Sequence, residues 1–218
     1  TVIDNSSAWR KDTDKPLVVP EINIDAVKAD DRIIANPNCS TIQMVLAISQ
    51  LHLRYKIKRL VISTYQSITG TGIKAVHQLQ EEEAWHAEQV KREGPDFTSR
   101  VDAIGEHSQA YPYQIFRNLF PPGGDFQEDG YTTEEQKLVD ETRKILRDQS
   151  IAITATVARV PVVGGHSEAV NVEFHKEFDI DEARSIIANT HGVILYDNPA
   201  ENQYPMPILS EHRDEVFV

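Results

Sequence analysis

The apolar residues of this chain recur with two different periods, and the switches between them mark its elements. From Thr41 to Tyr55, Ile42, Val45, Leu46 and Leu53 recur at spacings of three and four around the small Ser49, which predicts an amphipathic helix with Cys39 at its N-terminus. Residues Ile57 to Gln66 are rich in β-branched side chains and run into Ser67-Ile68-Thr69-Gly70-Thr71-Gly72, so a strand followed by a glycine turn is expected, then a long polar helix over about Ile73 to Arg92. Gly94-Pro95 closes that helix. From there to Asp129 scattered aromatics, Pro112 and Pro121-Pro122-Gly123-Gly124 predict a packed irregular excursion. Thr132-x-x-Glu135 has the spacing of a capping box, and Leu138, Thr142, Ile145 and Leu146 carry a helical stripe to about Asp148. Ile151, Ile153, Ala155 and Val157 then alternate with small or polar residues, as do Val170, Val172 and Phe174, giving two strands on either side of Gly164-Gly165. Asp179-x-x-Glu182 opens another helix and Val193 to Tyr196 another strand. Near the start, Thr1 to Asp4, Leu17 to Val19 and Arg32 to Ala35 read as brief strands with breakers behind them. The mixture predicts an α+β fold, a mixed β-sheet with helices packed on it, in preference to a doubly wound one.

Composition narrows the function. Hydrophobic residues make up 40% of the 218 positions and charged residues 26%, enough for a sizeable core in one domain or slightly more. The net charge of −12, with no basic patch to offset it, repels phosphate backbones and anionic membrane surfaces, so no nucleic acid and no membrane partner is expected. One cysteine makes neither an intrachain disulfide nor a Cys-based zinc site. No metal is therefore expected, and a reducing cytoplasm is the expected compartment. The N-terminus has no signal pattern, no apolar run approaches the ~20 residues of a membrane span, and no internal repeat is visible.

Cys39 is the sharpest chemical feature. In Asn36-Pro37-Asn38-Cys39-Ser40-Thr41 the proline fixes the approach and Asn38 or Ser40 can cap the helix. Helix-opening amides and the positive dipole end would lower a thiol pKa, and the same amides could receive an oxyanion formed when sulfur attacks a carbonyl. A lone cysteine is otherwise a small buried hydrophobe. His166, after Gly164-Gly165, could project into a cleft and titrate near working pH, or be an ordinary surface histidine. Arg159 ends the inward face of its strand, which calls for an anion or a structural ion pair. Glu134 and Lys137, at i and i+3, could be a solvated surface pair. Gln66 and Arg10 carry no signal of their own. Gly70-x-Gly72-x-x-Ala75 has the outline of a dinucleotide fingerprint, but a long charged helix follows where an acidic residue at the end of a second strand is needed, so it is not read as the main cofactor loop.

Taken together, several separated segments stand in the order and spacing of one family. They are Asp4-Asn5-Ser6-Ser7-Ala8-Trp9-Arg10, Pro16-Leu17-Val18-Val19-Pro20-Glu21-Ile22-Asn23 and Asn36-Pro37-Asn38-Cys39-Ser40-Thr41. Further on come Ser63-Thr64-Tyr65-Gln66-Ser67 with Gly70 and Gly72, Thr133-Glu134-Glu135-x-Lys137, and Arg159-Val160-Pro161-Val162 with Gly165-His166-Ser167. The chain resembles aspartate-semialdehyde dehydrogenase over nearly its whole length, with residues 84–127 as the exception.

The resemblance implies that Cys39 is the nucleophile, that Gln66 orients the substrate and His166 is the acid/base, with Asn38 beside the reacting carbonyl. Arg159 and Glu134 then grip the amino acid's carboxylate and ammonium, and Arg10 and Lys137 are the phosphate-site cations. Ser67, Gly70 and Gly72 lie near the nicotinamide. It also implies a reaction in which aspartate semialdehyde, inorganic phosphate and NADP give aspartyl phosphate through a cysteine thioester, in a homodimer or homotetramer. Residues 1–38 are expected to be remnant strands and a loop leading from a dinucleotide-binding domain, and 39–218 the catalytic and dimerisation domain. Without the glycine-rich NADP-binding half and the C-terminal helix of that family, the chain alone is expected to bind NADP weakly and turn over poorly. Three rivals differ in chemistry. An N-acyl-glutamyl-phosphate reductase would take an N-acylated substrate, a cysteine hydrolase would resolve the thioester with water, and a non-catalytic oligomerisation module would need no reactive thiol.

Overall fold

The computed structural model describes residues 1–97, 110–121 and 123–218; residues 98–109 and 122, within the irregular stretch expected after Gly94-Pro95, lie outside the described residues. The described elements are strands β1 (Val2–Asp4), β2 (Ile33–Ala35), β3 (Ile57–Gln66), β4 (Ala152–Arg159), β5 (Ser167–Phe174), β6 (Val193–Ile194) and β7 (Val216–Phe217), with helices α1 (Pro20–Asn23), α2 (Cys39–Tyr55), α3 (Ile73–Glu93), α4 (Thr133–Ile145), α5 (Ile180–Ala188) and α6 (Pro207–Ser210). The α+β expectation holds.

β3 is the axis. It pairs in parallel with β4 and antiparallel with β5, in the order β4-β3-β5, so the two strands around Gly164-Gly165 flank β3 and do not pair with each other. Alternation along β3 turns Leu60, Ile62, Thr64 and Gln66 inward. Leu60 and Ile62 pack with Ala155 and Val157 of β4, with Met44, Val45 and Ile48 of α2, and with Leu138 and Ile145 of α4. The register then decides what meets at the strand ends. Gln66 lies opposite Arg159 and Tyr65 opposite Ser167, which brings the last residues of β3 and β4 to the same edge as the approach to β5.

Residues 1–38 share this core, because Leu17, Val19 and Ala35 belong to the same buried cluster. Leu17 to Val19, expected as a strand, makes only a bridge to Ala35. The reason is local: Asn23 Oδ1 accepts the Val19 N–H at 2.8 Å and its Nδ2 donates to Leu17 O at 2.8 Å, occupying backbone groups that a ladder would need. α4 begins with the predicted capping box, in which Thr132 Oγ1 accepts the Glu135 N–H and Glu135 returns a carboxylate to the Thr132 N–H.

A second cluster forms where α3 meets the chain after residue 110. Ile68, Ala75, Leu79, Tyr111 and Ile115 are buried together. The strap there has no ladder of its own, so α3 satisfies its amides with side chains one turn apart: Gln78 Oε1 accepts the N–H groups of Ala110 and Tyr111, and Glu82 Oε2 those of Ile115 and Phe116. The strap is tied to the glycine turn as well, since Tyr111 Oη donates to Thr71 Oγ1 at 2.6 Å.

Since Leu60 is fully buried at the centre of the sheet, Leu60→Ala should lower unfolding stability by about 2 to 5 kcal/mol, read from the denaturant midpoint.

Candidate active site

Three chain segments end at one cleft, and each is held there by its own hydrogen bonds. The first is the start of α2. Asn38, which follows Pro37, caps it, its Oδ1 accepting the N–H of Ser40 at 3.1 Å and of Thr41 at 3.2 Å. Cys39 is therefore the first helical residue and is exposed. The second is the end of β3, where Gln66 is fully buried and its Nε2 donates to Glu134 Oε1 at 3.4 Å. The third is the turn after β4 that carries His166 back toward β5. His166 Nε2 lies 3.1 Å from Cys39 Sγ, and its Nδ1 accepts the backbone N–H of Ser67 at 3.0 Å.

Charge is distributed unevenly across the cleft. Glu134, in the first turn of α4, accepts from Asn38 Nδ2 at 2.7 Å and from Lys137 Nζ at 2.9 Å. Burial would raise its pKa, but Lys137, Asn38 and Gln66 together hold it below the ordinary carboxylate value, so it is an anion. Arg159 is buried at the end of β4, with Nη1 donating to Ser67 O at 2.8 Å and Nε without a hydrogen-bond partner among the described residues. Gly70 packs against it: a Cβ there would stand 3.4 Å from Arg159 Nη1 and 3.4 Å from His166 Cε1, so a side chain at this position would press on both.

The thiol departs from the sequence expectation. Its pKa is raised, first by burial and then by Glu134, while the Ser40 backbone N–H and Arg159 pull it down without prevailing. The helix terminus lowers it only in part, because Asn38 Oδ1 also accepts the Ser40 and Thr41 amides, and the Ser40 N–H is shared between that cap and the sulfur. Water reaching the exposed residue tempers the burial effect. His166 is pushed down to about 4, chiefly by burial and then by Arg159, with Glu134 opposing, so the imidazole is neutral around neutral pH.

Of the residues singled out in the sequence, Asn38, Cys39, Gln66, Glu134, Arg159 and His166 are brought together here, with Gln66 fully buried beneath. Ser67 and Gly70 form its rim. Lys137 reaches it only through Glu134. Gly72, with φ of 103°, has no heavy atom within 4 Å of its would-be Cβ and faces open space. Arg10 is buried behind the cleft, its Nη1 on Glu141 at 3.2 Å and its Nη2 on Asn5 O at 2.8 Å. Among the described residues no group of three or more His, Cys, Asp or Glu could hold a metal, and no helix is long and apolar enough to cross a membrane.

Sequence reasoning missed Glu141, Gln43 and Glu168. Glu141 is buried and its Oε2 accepts the Asn38 backbone N–H at 2.6 Å, fixing the residue before Cys39. Its only signal is a spacing of two helical turns from Glu134 on α4. Gln43, one turn after Cys39, donates to Glu168 Oε1 at 2.8 Å and to His166 O at 3.4 Å. Glu168 Oε2 has no hydrogen-bond partner among the described residues, and burial pushes the carboxyl up to about 8.

A family model described as semialdehyde dehydrogenase, dimerisation domain, matches residues 48–218. The aspartate-semialdehyde dehydrogenase of Aquifex aeolicus is 49% identical over 220 residues, covering 100% of this chain and 61% of that protein. That of Helicobacter pylori strain J99 is 42% identical, covering 100% of this chain and 62% of that protein. The chain thus spans less than two thirds of the length of either relative. Among solved structures, aspartate semialdehyde dehydrogenase II of Vibrio cholerae complexed with ASA superposes with a TM-score of 0.81 at 36% identity, covering 95% of this chain and 57% of that one.

Two outcomes follow from the electrostatics. Because Glu134 raises the Cys39 pKa, Glu134→Gln should move the pH midpoint of Cys39 alkylation downward, measured with iodoacetamide. Glu168 binds its proton up to about 8 in the folded chain against an ordinary 4.5, so the folded state holds the extra proton between those values and stability should fall as pH rises through them. Glu168→Gln should flatten that slope in a series of denaturant titrations.

Proposed function

Because the chain belongs to the family of semialdehyde dehydrogenase dimerisation domains, we propose that it carries the acyl-transfer site of an aspartate-semialdehyde dehydrogenase. One observation carries this reading: an exposed thiol at a helix N-terminus, 3.1 Å from an imidazole nitrogen, in a cleft whose walls hold a fixed carboxylate and a fixed guanidinium. The Glu134 carboxylate suits an ammonium and Arg159 a carboxylate, so a small amino acid with a reactive carbonyl fits between them. The name of the Vibrio cholerae complex, which holds ASA, is in keeping with that substrate class.

In this reading Cys39, as thiolate, attacks the substrate's terminal carbonyl. Gln66 and Asn38 line the approach, and Glu134 and Arg159 orient the α-amino and α-carboxylate groups. NADP, when bound, supplies the hydride acceptor, and the turn from Ser67 to Gly72, with Gly70 against His166 and Arg159, is the part of this chain assigned to it. Phosphate attacks the resulting thioester at its carbonyl carbon, forms the acyl phosphate and releases the Cys39 thiolate. The cations assigned to it are Arg10 and Lys137, each engaged by a carboxylate here, Arg10 by Glu141 and Lys137 by Glu134. Of the contacts expected to NADP, the described residues offer only the turn from Ser67 to Gly72, and this reading has the 218-residue chain binding NADP weakly. Self-association would use the sheet face opposite α2, where Tyr65 is exposed.

The half-reaction that needs no cofactor tests the site in this chain directly. Incubation with aspartyl phosphate should transfer an aspartyl group to Cys39 and release phosphate, visible as a mass increase on the Cys39 peptide, and Cys39→Ala should abolish it. Arg159→Lys should weaken saturation by the acyl phosphate by about tenfold, because the bidentate fork is lost. Acylation by N-acetylglutamyl phosphate instead, or release of aspartate by water at the same rate with and without phosphate, would sink the proposal.

A further inference from the structure

α4 carries a row of charges of which the proposed chemistry assigns a part only to the first two. Glu134, Lys137, Glu141 and Lys144 recur at spacings of three, four and three, so they stand on one face of the helix and alternate in sign. Neighbours along the row act on one another. Lys137 Nζ donates to Glu134 Oε2 at 2.9 Å. Burial pushes the Glu141 carboxyl up, with the Asn38 amide, Arg10 and Lys137 opposing, and burial pushes the Lys144 ammonium down, with Asp12 and Glu141 opposing. Glu134 and Lys137 serve the cleft and Glu141 anchors Asn38, whereas Lys144, in the last turn of α4, faces away from the cleft toward the segment after β1.

There its Nζ donates to Arg10 O at 3.0 Å, to Asp12 O at 2.6 Å and to Lys15 O at 2.9 Å, so all three ammonium hydrogens are spent on main-chain carbonyls of one loop. Residues 10–15 belong to no strand or helix, and two long turn bonds, Asp12 N–H to Trp9 O at 3.2 Å and Lys15 N–H to Asp12 O at 3.4 Å, hold the loop to itself. Three carbonyls converging on one point call for three diverging donors on one atom, which an ammonium has and a planar guanidinium lacks. The same helix holds the Arg10 side chain one turn earlier. Arg10 Nη1 meets Glu141 Oε1 at 3.2 Å, its Nη2 meets Asn5 O at 2.8 Å, and its buried Nε has no hydrogen-bond partner among the described residues. α4 thus grips Arg10 twice, by the guanidinium at Glu141 and by the carbonyl at Lys144.

We propose that Lys144 is a positioning residue for Arg10: by gathering the carbonyls of residues 10, 12 and 15 on one ammonium, it fixes the Arg10 main chain against α4 and so sets the separation between Arg10 and Lys137. The inference rests on the reading of those two residues as the phosphate-site cations, and adds to it a residue that touches neither phosphate nor the reacting carbonyl. Arg10 and Lys137 lie on segments far apart in the chain, so their spacing is set by whatever joins those segments. Lys11 and Asp140 join them too, at 2.6 Å, but Lys11 is 65% exposed and an ion pair in water holds little. Glu141 fixes only the far end of a long side chain. A loop released from Lys144 would carry the guanidinium with it, and a misplaced cation loses the phosphate even though the charge is still present.

Inorganic phosphate is the probe, with two readouts on the same 218-residue chain. In the first, Cys39 is acylated with aspartyl phosphate, free reagent is removed, and loss of the acyl mass is followed against added phosphate. In the second, the Arg10 Nε–H resonance of arginine-labelled chain, identified with Arg10→Lys, is followed against phosphate without acylation. Lys144→Ala should raise the half-saturating phosphate about tenfold in both, while alkylation of Cys39 by neutral iodoacetamide changes by about twofold or less. Propylammonium, which replaces the atoms removed, should recover about threefold or more of that loss, and tetramethylammonium, which has no N–H donor, none of it. Lys144→Arg, which keeps the charge and the stem, is read in the same way where the alanine variant does not fold, with a rise of about threefold expected. Lys11→Ala should leave both curves in place. Phosphate dependence unmoved in the Lys144 variants, recovery by both amines alike, or an equal loss in Lys11→Ala would overturn the inference. An Arg10 resonance that ignores phosphate in the unsubstituted chain overturns it together with the phosphate role of Arg10. Should Cys39 fail to acylate while Arg10 still responds to phosphate and to Lys144→Ala, the acyl-transfer reading alone is lost; should it acylate with phosphate dependence unmoved by Lys144→Ala, only the role of Lys144 is lost.

Discussion

Asn38 joins α2 to α4 through three different groups. Its Oδ1 closes the first turn of α2, its Nδ2 donates to Glu134, and its backbone N–H donates to Glu141. Each bond fixes something else: the first fixes where the helix starts and so where the sulfur sits, the second aims the carboxylate across the cleft, and the third anchors the segment to the buried pair of Glu141 and Arg10. An aspartate here could cap the helix equally well, yet it would place a second negative charge beside Glu134 and lose the Nδ2 donor. The amide is what lets one residue cap a helix and satisfy a carboxylate at once.

The same bonds explain why the resting thiol is not strongly acidic. Helix termini acidify cysteines when their amides are free to face the sulfur. Here the cap competes for two of those amides, and burial together with the nearby Glu134 raises the sulfur's pKa. A cation settling on Glu134, such as the ammonium of an amino acid, would remove that penalty at the moment of binding. In the proposed reading, the charge of the bound molecule, more than the helix, then sets the environment of the Cys39 sulfur.

Arg159 and Ser67 form the other wall. The β3–β4 register sets Gln66 opposite Arg159, and from that position the guanidinium reaches Ser67 O while the neighbouring peptide offers its N–H to His166. Sheet pairing thus fixes the place of a donor that meets an imidazole belonging to neither paired strand end. The strap after residue 110 reaches the same turn through the bond from Tyr111 to Thr71. It is tied to α3 by Gln78 and Glu82, which explains how a stretch with no legible pattern can still be packed.

The sequence by itself determined the elements whose signal is local. The α2 stripe, the β-branched run of β3, the capping box of α4 and the alternation of β4 and β5 all follow from side-chain period and capping chemistry, which act between residues a few positions apart. The candidate residues were legible on different grounds. Cys39 stood out from its helix-opening context, but Gln66 and Arg10 had no local signal and were found only through family resemblance. Tertiary structure decided what depends on groups distant in the chain. It showed β3 between β4 and β5, Leu17 to Val19 diverted from a strand by Asn23, Arg10 committed to Glu141, and Glu141 itself as the anchor of Asn38. It also reversed the expected direction of the thiol pKa. That reversal has a plain cause: a helix N-terminus is a local feature, while desolvation and a carboxylate from α4 act through space, and only folding brings them to the sulfur.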